Sequence, residues 1–96
     1  MNESIRYYLL KHIQDNPGIT QRELAQRAGI SLGKTNYCLN ALIDKGLIKA
    51  ANFKNSTKRT AYLYKLTPKG IEEKTRVTVR FLRRKLEEYE AIKAEI

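Results

Sequence analysis

Two sets of capping residues, Thr20 to Glu23 and Ser31, followed in turn by Gly29 and Gly46, constrain this 96-residue chain more than any other feature. Thr20-Gln21-Arg22-Glu23 is a capping box. The threonine hydroxyl accepts from the backbone N–H three residues on, and the glutamate reaches back to the start. A short helix over about 21–28 follows, with Leu24, Ala25 and Ala28 inward, and Gly29 stands where a left-handed residue closes such a helix. Ser31 then offers a second N-cap. The spacing of Thr35, Cys38, Leu39 and Leu42 predicts a third helix over about 32–45, closed by Gly46. Two capped helices joined by a tight glycine-containing turn make a helix-turn-helix.

The flanking segments complete a domain. Residues 3–16 read as a helix with Ile5, Tyr8, Leu9, His12 and Ile13 on one face, ended by Asn16-Pro17-Gly18. Beyond Gly46 the period changes. Leu47 to Asn52 and the β-prone Thr60 to Leu66 predict two strands joined by the polar loop Asn55 to Arg59. Tyr62 and Tyr64 are expected to cover the core rather than to form a stacking platform. Thr67-Pro68 is a helix start, with Thr as cap and Pro in the first helical position; Gly70 in that first turn reads as a mild cost. From Pro68 a helix can run 29 residues to Ile96, about 43 Å. The expected fold is mainly α with a small β-hairpin wing. It divides into a winged helix-turn-helix over 1–67 and a C-terminal dimerisation helix over 68–96.

That last helix carries its own pattern. Thr75, Val79, Leu82, Leu86, Tyr89, Lys93 and Ile96 step by four and three, the spacing of a coiled-coil seam. A body of 67 residues cannot cover a stripe of that length, so the helix is expected to pack on a second subunit through Val79, Leu82, Leu86, Tyr89 and Ile96. Arg80, Arg83, Arg84 and Lys85 precede Glu87, Glu88, Glu90 and Glu95. The basic cluster reads as a solvated face with acidic partners one turn later.

Charge narrows the function. The net charge is +9, and it is uneven: residues 1–70 carry 12 basic and 4 acidic side chains, residues 71–96 carry 7 and 6. A compact basic body attracts polyanions. One cysteine, Cys38, and one histidine, His12, allow neither an internal disulfide nor a structural zinc site. Both read as packing residues, and a reducing cytoplasm is expected. No acid pair or nucleophile–base pair stands out, so neither an enzyme nor a cofactor is implied. No apolar run approaches the length of a membrane span.

Thr20 to Ala25, Gly29-Ile30-Ser31, Leu42 to Ile48 and Leu66 to Gly70 together resemble the MarR-type winged-helix transcription regulators of bacteria. Ser31 to Leu39, with Asn52 to Ser56, is most similar to a short subgroup found with exopolysaccharide biosynthesis loci, over nearly the whole chain. The resemblance implies a dimeric bacterial transcription regulator. Two departures stand out. Members of the family usually have more helices in the dimerisation region, and many take a small phenolic ligand beside it. Their wing also often carries Asp before its arginine, where this chain has Lys58 before Arg59.

The expected interface follows from side-chain chemistry. On the third helix Ser31, Gly33, Lys34, Asn36, Tyr37 and Asn40 face outward. Asn can pair with adenine, Lys can reach guanine or phosphate, Tyr37 can stack on sugar or a thymine methyl, and Gly33 admits close approach. Thr20, Gln21 and Arg22 begin the preceding helix, where phosphates are often held. Lys54, Lys58 and Arg59 would hold the wing against the minor groove or its phosphates, with Arg59 the match for the family's minor-groove arginine. Double-stranded DNA is thus the expected partner, read at half-sites about one helical turn apart. The competing reading is a winged helix that binds RNA or protein without reading DNA sequence.

Overall fold

The computed structural model describes residues 1–54 and 60–96, with the backbone alone considered at 52–54 and 60–62. Six elements follow in order: α1 (Glu3–Asp15), α2 (Gln21–Ala28), α3 (Leu32–Asp44), β1 (Ile48–Lys54), β2 (Thr60–Leu66) and α4 (Pro68–Glu95). Every helix begins at a side-chain cap. The side chains of Asn2, Thr20, Ser31 and Thr67 accept from the backbone N–H of Ile5, Glu23, Lys34 and Gly70 respectively. Each satisfies a donor the helix cannot satisfy itself, contributing about 1 kcal/mol. Gly29 ends α2 at φ 69°, and Gly46 follows α3 at φ 73°. Both lie in the left-handed region that a side chain disfavours.

The core forms where α1, α2 and α3 meet the base of the hairpin. Leu9, Leu10, Ile13, Ile19, Leu24, Leu39 and Leu42 are all at most 1% exposed, with Cys38, Ile48, Tyr64 and Leu66 closing the cluster. Cys38 is therefore a packing residue. Antiparallel pairing runs from Ile48 opposite Leu66 to Lys54 opposite Thr60. The backbone N–H of Tyr64 donates to the Pro17 carbonyl at 3.2 Å, tying the α1–α2 turn to the free edge of β2.

Three expectations about packing change. On α1 it is Leu10 that is buried, while Tyr8 is 38% exposed. Leu10 belongs to the core cluster, and Tyr8 lies instead near Phe81, ring centroids 6.0 Å apart. Second, Gly70 is a steric necessity. A Cβ there would lie 1.9 Å from the Leu47 carbonyl oxygen, because the start of α4 is laced to the end of α3. The Thr67 N–H donates to the Leu47 carbonyl at 3.0 Å, and the Lys69 ammonium donates to the Lys45 carbonyl at 3.2 Å.

Third, the basic cluster on α4 is only partly a solvated face. Arg80 and Arg84 reach back to the Glu3 carboxylate at 3.5 and 3.2 Å, and only Lys85 takes an acidic neighbour further along α4, Glu88. These pairs belong to a zipper along α1 and α4. Tyr7 stacks on Phe81 with centroids 4.7 Å apart, Arg6 pairs with Glu73 at 3.2 Å, and Val77 is fully buried. Past Arg84 every residue of α4 is exposed.

His12 lies against Tyr8, with ring planes 14° apart. Burial pushes its pKa below the ordinary histidine value, and the charges of Lys11 and Arg27 add to that shift against Asp15. The unfolded chain therefore takes up the proton first as pH falls through about 6.5. Stability contributed by the neutral ring is present above that pH and is lost below it. The urea midpoint is expected to fall between about pH 7.5 and 5.5 in the wild type and to fall less in His12→Gln; equal losses would remove His12 as the cause.

Candidate nucleic-acid interface

The α3 helix divides cleanly into two faces. Thr35, Cys38, Leu39 and Leu42 are buried, so the stripe between them turns Gly33, Lys34, Asn36, Tyr37 and Asn40 to solvent. Tyr37 is 70% exposed. An aromatic ring this exposed is available for contact with another molecule. Leu32, at the first position of the helix, is 45% exposed beside this face. The sequence pattern did not single it out, because an apolar residue after an N-cap reads as core. Here it offers an apolar contact of the kind a thymine methyl takes.

Hydrogen bonds assign the expected residues different roles. Ser31 and Thr20 spend their hydroxyls on the backbone of their own helices, so both hold helix starts in place. Gln21 is half-buried. Its Nε2 donates to the Asn36 Oδ1 at 3.3 Å and to the Tyr64 hydroxyl at 3.0 Å. One amide thus links the start of α2, the exposed face of α3 and the second wing strand. Asn36 keeps its own amide N–H groups directed away from this contact, and the residue is braced before any ligand arrives. No spacing in the sequence announces a contact between positions 15 residues apart on separate helices. Arg22 is exposed at the start of α2, where the helix dipole and free N–H groups favour an anion.

The structure brings Lys34, Asn36, Tyr37 and Asn40 onto the exposed face of α3, with Gln21 bonded to Asn36 at its edge. Lys58 and Arg59 lie outside the described residues, as does the side chain of Lys54. The seam residues Val79, Leu82, Leu86, Tyr89 and Ile96 are 50–102% exposed and stand apart from this surface on α4. Among the described residues no cluster of three His, Cys, Asp or Glu side chains could hold a metal, and no helix is long and apolar enough to cross a membrane.

Three capped helices, the third with a polar outward face, lead into a two-stranded hairpin. The chain has a winged helix-turn-helix fold. Residues 4–49 match the family described as winged helix-turn-helix DNA-binding. No curated protein sequence matches the chain. Among solved structures, the winged helix is similar to the PcaV transcriptional regulator of Streptomyces coelicolor, at 25% identity and a TM-score of 0.67, covering 81% of this chain. The chain spans 54% of the length of PcaV. It is also similar to a PadR-like transcriptional regulator of Bacillus cereus, at 16% identity and a TM-score of 0.79, covering 91% of this chain and 89% of that one. A third similar structure is ZitR of Lactococcus lactis in complex with DNA, at 19% identity and a TM-score of 0.70, covering 97% of this chain and 61% of that one. Other similar structures are MarR-family regulators.

Proposed function

We propose that the winged helix is a transcription regulator that reads double-stranded DNA, with α3 in the major groove and the wing on the minor groove or backbone. The observation that carries this reading is the outward face of α3: Lys34, Asn36, Tyr37 and Asn40 exposed on a helix whose opposite face is locked into the core. The net charge of +9 supplies the long-range attraction, and the similar ZitR structure contains DNA. In this role Asn36, Tyr37 and Asn40 discriminate bases. Arg22, Lys34, Lys54, Lys58 and Arg59 neutralise phosphates, and Thr20 and Ser31 hold the helix starts that face them. The protein acts as a homodimer joined through α4, whose exposed seam the monomer leaves uncovered. Residues 1–67 would then serve as the reading lobe and 68–96 as its dimerisation arm.

Selection of bound sites from random duplexes tests this directly, and exopolysaccharide loci, to which the subgroup resemblance points, are the first natural sequences to probe. Binding to the selected site is expected to fall steeply with salt. Tyr37→Ala and Asn36→Ala are expected to lose about 1–3 kcal/mol on that site and to relax its sequence preference, while Arg59→Ala weakens all duplexes alike. If no site is enriched and all three variants bind like the wild type, α3 does not read DNA and an RNA- or protein-binding role takes its place.

A further inference from the structure

The exposed stripe on α4 admits a partner in either direction, and the charges along the helix choose between the two. Thr75, Val79, Leu82, Leu86, Tyr89 and Lys93 are separated by four, three, four, three and four residues. That series reads the same in both directions, with its centre at Arg84. Resting on the proposed dimer, we infer that two copies pair their α4 helices antiparallel, about a two-fold axis that crosses the seam between Leu82 and Leu86, level with Arg84 on the opposite face. Val79 then meets the partner's Tyr89, Leu82 meets the partner's Leu86, and Thr75 meets the partner's Lys93.

Charge selects this direction. Six basic residues lie between Lys74 and Lys85, against Glu72, Glu73 and Glu3, which pair with Arg76, Arg80 and Arg84, so that half keeps a positive excess, and from Leu86 onward the helix carries four glutamates and one lysine. A parallel pair would stack the basic halves on each other and bury Lys93 beside its own copy. The antiparallel pair sets each basic half against an acidic half and leaves Lys93 beside a threonine. A two-fold interface requires that the same patch complement itself, and the reversed stripe meets that requirement without a gap.

The far end of the stripe supports the same arrangement. Antiparallel pairing brings the partner's last helical turn, with Ile92, Glu95 and Ile96, towards Ile71, which is 47% exposed. Ile71 lines an open groove of about 650 Å³ that continues past Ile13, Pro17 and Leu63 to Lys49 and Lys65. The partner's Ile92 and Ile96 supply apolar side chains to the Ile71 end of this groove.

The test is a spin-label distance on the full chain carrying Glu95→Cys, with the wild type labelled in parallel to account for the buried Cys38. Sedimentation equilibrium establishes the oligomeric state. Antiparallel pairing separates the two labels by 22 helical positions along the axis, about 33 Å. Parallel pairing holds them at about the interaxial distance of 10 Å. A dimer with a distance near 33 Å is the expected result. A dimer with any clearly different distance overturns the antiparallel register but leaves the dimer standing. A monomer at all concentrations overturns the dimer and this pairing with it, while leaving DNA reading by α3 intact.

Discussion

Gly70→Ala is expected to destabilise the fold by about 3 kcal/mol, the upper part of the range for forcing a methyl group into packed structure. The reason is geometric. The new Cβ would sit 1.9 Å from the Leu47 carbonyl oxygen and 2.9 Å from its carbon. These are backbone atoms, so no rotamer change relieves the contact. Nor can the segment slide, because Thr67 and Lys69 bond the Gly46, Leu47 and Lys45 carbonyls on either side. On intrinsic propensity alone, Gly to Ala inside a helix should stabilise by about 1 kcal/mol. The two arguments therefore differ in sign. Urea denaturation decides between them, and a variant as stable as the wild type would show that α4 does not approach Leu47 this closely.

The second large effect concerns assembly. Leu82→Glu with Leu86→Glu is expected to convert the proposed dimer to a monomer and to lower affinity for a two-fold DNA site by about a hundredfold or more, because the second lobe no longer binds at high effective concentration. Both leucines are 60% exposed, so the changes leave the core untouched. The contacts of α1 with Phe81, Arg80 and Arg84 also remain in place. Sedimentation reads the first effect and titration of full and half sites the second. Helical content should match the wild type. If the variant stays dimeric, the interface lies elsewhere; if it is monomeric but binds the full site as tightly, the two lobes do not act together.

Much of the fold was legible because its signals are local. Thr20, Ser31 and Thr67 each cap within three residues, and Gly29 and Gly46 act on their own backbone, so helix starts and stops can be read from short strings. The stripe on α4 was legible for the same reason. What escaped is what depends on distant partners. Gly70 looks like a weak helix former until Leu47 is brought beneath it. Val77 and Phe81 lie off the readable seam because the surface that covers them is α1, at the opposite end of the chain. Leu10 lies off the stripe that the α1 spacing picks out, and only the assembled core buries it. At the candidate interface, the outward face of α3 followed from periodicity alone, but the brace from Gln21 to Asn36 and Tyr64 required the tertiary fold to place them together.

The α1–α4 zipper has a consequence for any two-part target. If the body were joined to α4 only at Thr67, each lobe would swivel freely and a pair of them would accept recognition sites at many separations. The ion pairs of Glu3 and Arg6 and the stacking of Tyr7 on Phe81 fasten the lobe along about three turns of the helix instead. Lobe and arm then move as one lever, and a pair of such levers acts as a ruler: it measures the distance between two marks as well as reading them.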